Sequence, residues 1–324
     1  MKKRILGRES LEVSAIGLGC WGMSGAYGQG DDLTSIATIR QAFDLGVTFF
    51  DTADIYGNGH NESLVGKAIQ PIRKDIKLAS KFGFRIQNDK LEVSGRPDYV
   101  KQACEASLKR LGTDHIDLYY LHRLDKNVPI EETVGTMTEL IQEGKISHIG
   151  LSEITLNTLK KAQAIHPITA LQSEYSLISR EIEDNILTYC TKEQIGMVPF
   201  CPLARGFLSG SLQEVSSFGK EDYRANMPRF IGDNFEANKV VMQKFLNFAE
   251  QKSIKPAQLA LAWLLHQGNQ VVPIPGMKTG RHLPDNLAAV DVQLSDGDMV
   301  FMNALEARIK GDRYPESNKQ YLED

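Results

Sequence analysis

Residues 97–152 read PDYVKQACEASLKRLGTDHIDLYYLHRLDKNVPIEETVGTMTELIQEGKISHIGLS, and their pattern decides the fold. Pro97 stands where a first-turn proline is tolerated, and helical period runs from there to Leu111 before Gly112 caps the stretch. A β-rich run, Ile116–Leu121, follows. A second helical stretch, Ile130–Glu143, ends at Gly144 and gives way to a second β-rich run, Ile146–Leu151. Strand, helix and strand in this order form a βαβ unit, and its repetition builds a parallel sheet.

Outward from this stretch the alternation continues in both directions. The strand candidates are Ala15–Gly19, Thr48–Asp51, Ile76–Lys81, Ile116–Leu121, Ile146–Leu151, Ala170–Glu174, Gly196–Cys201 and Val271–Pro273. Helix candidates alternate with them at Ser35–Leu45, Asn61–Ile69, Pro97–Leu111, Ile130–Glu143, Thr155–Ile165, Arg180–Glu193, Phe235–Gln251 and Leu283–Ala289, with extra helices at Pro256–His266 and near the C-terminus. No linker rich in Gly, Ser or Pro separates the units, so residues 1–324 read as a single α/β domain, a (β/α)8 TIM barrel. Residues 4–14, with a polar turn at Arg8–Ser10, read as an N-terminal β-hairpin that plugs the barrel bottom. A long loop, Arg205–Asp233, follows strand seven and reads as a lid; it carries Phe207, Phe218, Tyr223, Arg224, Arg229 and Phe230.

The competing architecture is an open, doubly wound sheet, which would carry a dinucleotide fingerprint after its first strand. Gly17, Gly19 and Gly22 spell G-x-G-x-x-G, but the glycine-rich GMSGAYGQGDD follows where a helix would have to open. Hydrophobic residues make up 42% and charged residues 24% of the 324, the balance of a chain that buries a substantial core. Thirty-seven Lys and Arg stand against 41 Asp and Glu, a net charge of −4, with no basic block or aromatic-basic stripe to suit a nucleic acid. The four cysteines form no C-x-x-C pair and no metal-ligand spacing, which reads as reduced thiols in a cytoplasmic protein that holds no metal. The opening MKKRILGRES leads into no long apolar run, so neither a secretion signal nor a membrane anchor is expected.

In a barrel of this kind chemistry gathers at the C-terminal ends of the strands. Asp51 ends strand two, Tyr56 follows in DTADIYG, Lys81 ends strand three in LASKFG, and His122 ends strand four in LYYLHR. Each alone has a bland reading: a strand-end Asp is often a helix cap, and a lone His is more often structural than catalytic. Together they are complementary. A phenol titrates near pH 10 and is a poor proton donor at pH 7 unless a cation stabilises the phenolate. Lys81 is placed to be that cation, Asp51 to hold Lys81, and His122 to orient a carbonyl oxygen.

These motifs resemble the aldo-keto reductase family, whose Asp, Tyr, Lys and His tetrad matches Asp51, Tyr56, Lys81 and His122. The similarity runs through nearly the whole chain, including EGKISHIGLSE, LQSEYSL, PLARGFLSG and VVPIPG, and is greatest to the perakine-reductase-like and auxin-induced-type branch. The resemblance implies a cytoplasmic NADPH-dependent reductase of small carbonyl substrates. Hydride would pass from the nicotinamide to the carbonyl carbon and Tyr56 would give the proton.

It also implies cofactor positions: Gly19, Cys20, Trp21 and Asp51 at the first strand ends, Ser152 and Gln172 on the carboxamide, and Phe200 against the nicotinamide ring. Cys201, Pro202, Leu203, Arg205, Gly206, Leu208 and Gly210 would wrap the pyrophosphate, with Arg205 offsetting its charge. Pro275, Gly276, Lys278, Thr279, His282 and Asn286 fit the adenosine and 2′-phosphate end. Two departures stand out: Glu153 where the family usually has Asn, and His282 where many members have Arg. The substrate pocket is expected from Trp21, Tyr27, Ile55, Phe82 and Arg123, with Arg313 or Tyr314 contributing to the rim or lying in a surface tail. An alternative in another class is an NADP(H)-binding redox-sensing subunit like the potassium-channel β subunits. It would hold the same cofactor with the same residues but turn over aldehydes barely.

Overall fold

The computed structural model describes residues 1–28, 30–87, 90–212, 218 and 222–323. It opens with an antiparallel hairpin of β1 (Lys3–Leu6) and β2 (Leu11–Ser14). Seven parallel strands then follow in one sheet: β3 (Leu18–Gly19), β4 (Phe49–Asp51), β5 (Lys77–Phe82), β8 (Ile116–Leu121), β9 (Ile146–Ser152), β10 (Ala170–Glu174) and β11 (Gly196–Phe200). A second hairpin, β6 (Phe84–Gln87) with β7 (Lys90–Val93), is inserted after β5; the sequence pattern did not reveal it.

The barrel closes through residues 270–276, which hydrogen-bond on both sides without forming a regular strand. Toward β11, Met197 N donates to Gln270 O at 2.9 Å, Val272 N to Met197 O at 2.8 Å and Ile274 N to Pro199 O at 3.0 Å. Toward β3, Gly17 N donates to Pro273 O at 3.0 Å and Gly19 N to Pro275 O at 3.2 Å. Residues alternate sides in a parallel ladder, so the positions facing β3 are the prolines. Having no N–H, they accept but cannot donate, and only half a ladder forms. The expected eighth strand, Val271–Pro273, is thus present as closure, and the (β/α)8 barrel is complete. The first strand, expected over Ala15–Gly19, is regular only over β3, and Ala15 N donates to Lys2 O at 2.9 Å instead.

Helices α1 (Asp32–Asp44), α2 (His60–Ile69), α3 (Pro97–Leu111), α4 (Ile130–Gln142), α5 (Leu156–Ile165) and α6 (Ile186–Lys192) surround the strands, followed by α7 (Gly232–Gln251), α8 (Pro256–Leu265), α9 (Leu283–Leu287), α10 (Asp296–Asn303) and α11 (Glu316–Lys319). Gly112 ends α3 in the left-handed conformation, at φ 65°. The helix expected over Arg180–Glu193 is broken. Arg180 and Tyr175 both bind Glu183, at 2.6 Å each, so residues 181–183 form a 3-10 turn, and α6 starts only after Asn185. The last expected helix, Leu283–Ala289, likewise passes into a 3-10 turn at Ala288. Among the described residues no helix is long and apolar enough to cross a membrane.

Strand alternation positions the site. Leu118 and Tyr120 of β8 lie in the barrel interior with Phe49, Ala79, Ala170 and Val198, and Leu6, Leu11 and Val13 of the first hairpin fill the same interior from below. Tyr119 and Leu121 point the other way, into the layer between strands and helices. A methyl group on Gly150 would strike the Tyr120 ring, so β9 passes close to the interior only because it carries glycine there. Extending the inward positions to the strand ends selects Asp51, Lys81, His122, Ser152, Gln172 and Glu174.

Candidate active site

At the C-terminal ends of the strands a cavity of about 900 Å³ runs from Asp51, Tyr56 and Gln172 to Lys278, Arg281 and His282. At its inner end Lys81, fully buried, donates from Nζ to Asp51 Oδ1 at 2.5 Å, Thr52 O at 2.8 Å and Tyr56 Oη at 3.2 Å. Gln172 Nε2 donates to Asp51 Oδ2 at 2.8 Å, so both carboxylate oxygens are held. The His122 ring meets Tyr56 edge to face, with centroids 5.8 Å apart. The structure therefore gathers all four tetrad residues at one point. Tyr56, on the loop after β4, is placed by a turn in which its own N–H donates to Ala53 O at 3.2 Å.

The electrostatics follow from burial. Burial alone would pull the Lys81 ammonium down, but Asp51 and Tyr56 together outweigh it and hold the group above its ordinary value. Burial pushes the Tyr56 phenol up; Lys81 opposes that without reversing it. Lys81 thus favours the phenolate, as expected, but the net direction is upward and the hydroxyl keeps its proton. Burial, reinforced by the charges of Arg123 and Lys81, holds His122 well below the ordinary histidine value, so its ring is neutral. His122 Nδ1 is sealed with no partner, which leaves Nε2 as the ring nitrogen open to a ligand.

The cavity fits an extended dinucleotide. Phe200, Cys201, Pro202, Leu203 and Gly206 line one wall. Gly19, Trp21, Pro275, Gly276, Thr279 and Asn286 complete it. Glycine is required where the two sides meet, because a Cβ on Gly19 would lie 2.8 Å from Ile274 O. Four expected contact residues, Cys20, Ser152, Leu208 and Gly210, are not among those that line it. Cys20 and Leu208 are fully buried, and a Cβ on Gly210, at φ 76°, would lie 3.0 Å from the Leu246 side chain. Ser152 is buried at the end of β9, its Oγ accepting from Arg123 Nη1 at 3.3 Å. From the far end Lys278 reaches across the cavity to the loop after β3, donating to Tyr27 O at 3.0 Å and Gly28 O at 3.1 Å.

Arg205 departs from its expected role. Its guanidinium lies in a two-pronged pair with Glu174, at 3.1 and 2.9 Å, and both are buried, so its charge is already balanced by protein. Although burial pushes the Glu174 carboxyl up, Arg205 and Arg313 together hold it below its ordinary value. Glu174 lies two residues after Gln172 on the same inward face, and that parity was available in the sequence. Glu153 sits in the left-handed region at φ 52°, a conformation Asn adopts more readily. Its Oε1 accepts from Glu174 N at 2.8 Å and its Oε2 pairs with Arg313 Nη1 at 3.2 Å. Arg313 and Tyr314 are therefore part of the mouth and not of a surface tail.

Around the inner end, Trp21 packs edge-on to Tyr27 at 5.3 Å and Tyr223 at 5.4 Å, and Arg224 lies 5.1 Å over the Tyr27 ring. The long loop thus reaches the first one, with Tyr223 N donating to Ala26 O at 3.3 Å; its residues 213–217 and 219–221 lie outside the described set. Phe82, expected in the substrate pocket, points away from it. Lys81 occupies the inward position, and Phe82, one residue on, stacks on Tyr119 in the helix layer at 4.9 Å. Ile55 borders a separate small cavity with Asp54, Phe84 and Tyr99. Phe84 takes the place expected of Phe82, its ring 5.1 Å from His122 and 5.5 Å from Tyr321. Only the unforeseen hairpin β6–β7 brings it there.

A family model described as the aldo/keto reductase family matches residues 15–307. A probable aldo-keto reductase of Glycine max is 44% identical over 314 residues, which are 95% of this chain and 90% of the soybean protein. Among solved structures, the glycerol dehydrogenase of Gluconobacter oxydans aligns with a TM-score of 0.86 at 28% identity, covering 97% of this chain and 98% of that one. An aldo/keto reductase of Klebsiella pneumoniae, solved in complex with NADP and acetate, aligns with a TM-score of 0.73 at 29% identity, covering 97% and 99%.

Proposed function

The chain belongs to the aldo/keto reductase family, and from that premise we propose that it reduces aldehydes or ketones to alcohols with NADPH, Tyr56 giving the proton to the carbonyl oxygen. The observation that carries this reading is Lys81 Nζ, bound to Asp51 at 2.5 Å and to the Tyr56 hydroxyl at 3.2 Å at the inner end of a cavity that fits the cofactor. Bound NADPH supplies a hydride from nicotinamide C4 to the carbonyl carbon. As the carbonyl oxygen gains charge, Tyr56 donates its proton to it, and Lys81 stabilises the phenolate left behind. Asp51 keeps Lys81 charged and aimed. His122 donates from Nε2 to the same oxygen and orients it. Gln172, its Nε2 committed to Asp51, offers its Oε1 to the carboxamide beside Ser152, and Phe200 presents its ring to the nicotinamide. Trp21 and Tyr27 close the substrate side. Steady NADPH oxidation with a small aromatic aldehyde tests the reading; tight NADPH binding without turnover would favour a regulatory subunit instead.

Two consequences arise directly. The raised phenol and the depressed imidazole keep Tyr56 protonated and His122 neutral across the neutral range. The expected kcat for reduction is therefore flat from about pH 6 to about pH 9, whereas alcohol oxidation, which needs the phenolate, rises throughout that range. A reduction limb falling with an apparent pKa near neutrality would contradict it. At the far end Lys278, with Arg281 and His282 beside it, is assigned to the 2′-phosphate. Lys278→Glu is expected to weaken NADPH binding by about tenfold or more and NADH binding far less, since a charge-assisted contact is worth about 1.5–3 kcal/mol. Equal losses for the two cofactors, measured by fluorescence titration, would remove the assignment.

A further inference from the structure

Among the described residues, the buried carboxylates at the barrel mouth are each held by a cation. Asp51 is matched to Lys81 at 2.5 Å, Glu174 to Arg205 at 2.9 Å and Glu153 to Arg313 at 3.2 Å. The guanidinium left over is that of Arg123, the residue after His122. It is 8% exposed and has no carboxylate in ion-pair contact among the described residues. Only its Nη1 is engaged, donating to His122 O at 2.7 Å and Ser152 Oγ at 3.3 Å. Neither Nε nor Nη2 donates to a described protein group. Yet neither is sealed like His122 Nδ1 or Arg205 Nε nearby, so both face accessible space. A largely desolvated cation without a counter-ion is costly, and such a group is matched when a partner arrives from outside.

We propose that Arg123 is a specificity-determining residue that binds a substrate carboxylate, so that the preferred substrates are short oxo acids. The inference rests on the reductase reading above and deepens it. The unused Nε and Nη2 form one edge of the guanidinium fork, which meets a planar carboxylate through two parallel hydrogen bonds. The residue is adjacent to His122, and its guanidinium reaches Ser152 Oγ at the end of β9 at 3.3 Å, so the anion it binds lies close to the carbonyl being reduced. That proximity limits the substrate to a carboxylate within a few carbons of the carbonyl. Glu153 and Glu174 flank the same region but are occupied by Arg313 and Arg205, so they do not compete for Arg123.

The test compares 4-oxobutanoate with its methyl ester, which has nearly the same shape and no charge. The native enzyme is expected to favour the acid by about tenfold or more in kcat/KM, through KM. Reading the acid-to-ester ratio within each protein makes the result independent of any general loss of activity. In Arg123→Met the ratio falls to one or below, and in Arg123→Lys, which keeps charge but loses the fork, it is intermediate. A ratio near one in the native enzyme, or one unchanged in Arg123→Met, overturns the proposal. Benzaldehyde separates the two failures: if it is reduced without any preference for the acid, only the role of Arg123 falls. If no aldehyde is reduced, the reductase reading falls. Calorimetry of 4-hydroxybutanoate binding to the NADP⁺ complex then decides on Arg123 alone, with binding lost in Arg123→Met supporting it and undiminished or absent native binding overturning it.

Discussion

Tyr56→Phe is expected to lower kcat for aldehyde reduction by about 10²–10⁴-fold, the range that a positioned general acid contributes, while leaving NADPH affinity within about twofold of native. The change removes one oxygen atom. The ring remains packed against Trp21, with centroids 6.1 Å apart in the native protein, and against His122 at 5.8 Å, so the walls of the site keep their shape. The loss should therefore fall on kcat, as it does when a group acts only in the transition state. Retained turnover would remove Tyr56 from the role of proton donor.

The second large effect concerns Lys81, and it is expected in both stability and rate. Lys81 is fully buried and engages Asp51, Thr52 O and Tyr56 from a single nitrogen. Lys81→Met keeps the volume and abandons the Asp51 carboxylate in the interior. Breaking a buried pair from one side typically costs about 3–5 kcal/mol, so a clear fall in thermal midpoint is expected. Rate should fall by about 10²-fold or more, because the phenolate loses its stabilising cation. Adding Asp51→Asn to that variant is expected to restore roughly half or more of the lost stability, since Gln172 still has an oxygen to bind, and none of the rate. Stability that does not recover would mean that packing, not charge, holds this corner together. Recovered rate would mean that Lys81 is not needed for proton transfer.

How much of this was legible in the sequence depends on how local the signal was. The stretch 97–152 displayed a whole βαβ unit and the helix before it because their caps and their hydrophobic periods are encoded within a few residues of each other. The closing strand was legible as apolar residues but not as a ladder, because Pro273 and Pro275 remove the donors that would have made it regular. The tetrad was legible because strand ends are where a barrel presents polar groups. The misplacement of Phe82 came from treating neighbours in sequence as neighbours in space: a strand turns successive side chains to opposite faces, so the residue after an inward Lys81 faces outward. The neutralisation of Arg205 was hidden because Glu174 belongs to another strand, and the role of Phe84 because it depends on a hairpin folding back. The net direction of the Tyr56 shift was not legible because burial, a property of the folded chain, outweighs the nearby lysine.

The central claim is that these residues serve direct hydride delivery to a carbonyl carbon. It is tested most directly by incubating the protein with a small aromatic aldehyde and NADPH carrying deuterium at both C4 positions of the nicotinamide, in ordinary water, and analysing the alcohol by mass spectrometry and NMR. One deuterium per product molecule is expected, on the carbinol carbon, with none washed out to solvent. An alcohol whose carbinol hydrogen comes from water, or an aldehyde left unreduced while the cofactor stays bound, would contradict it.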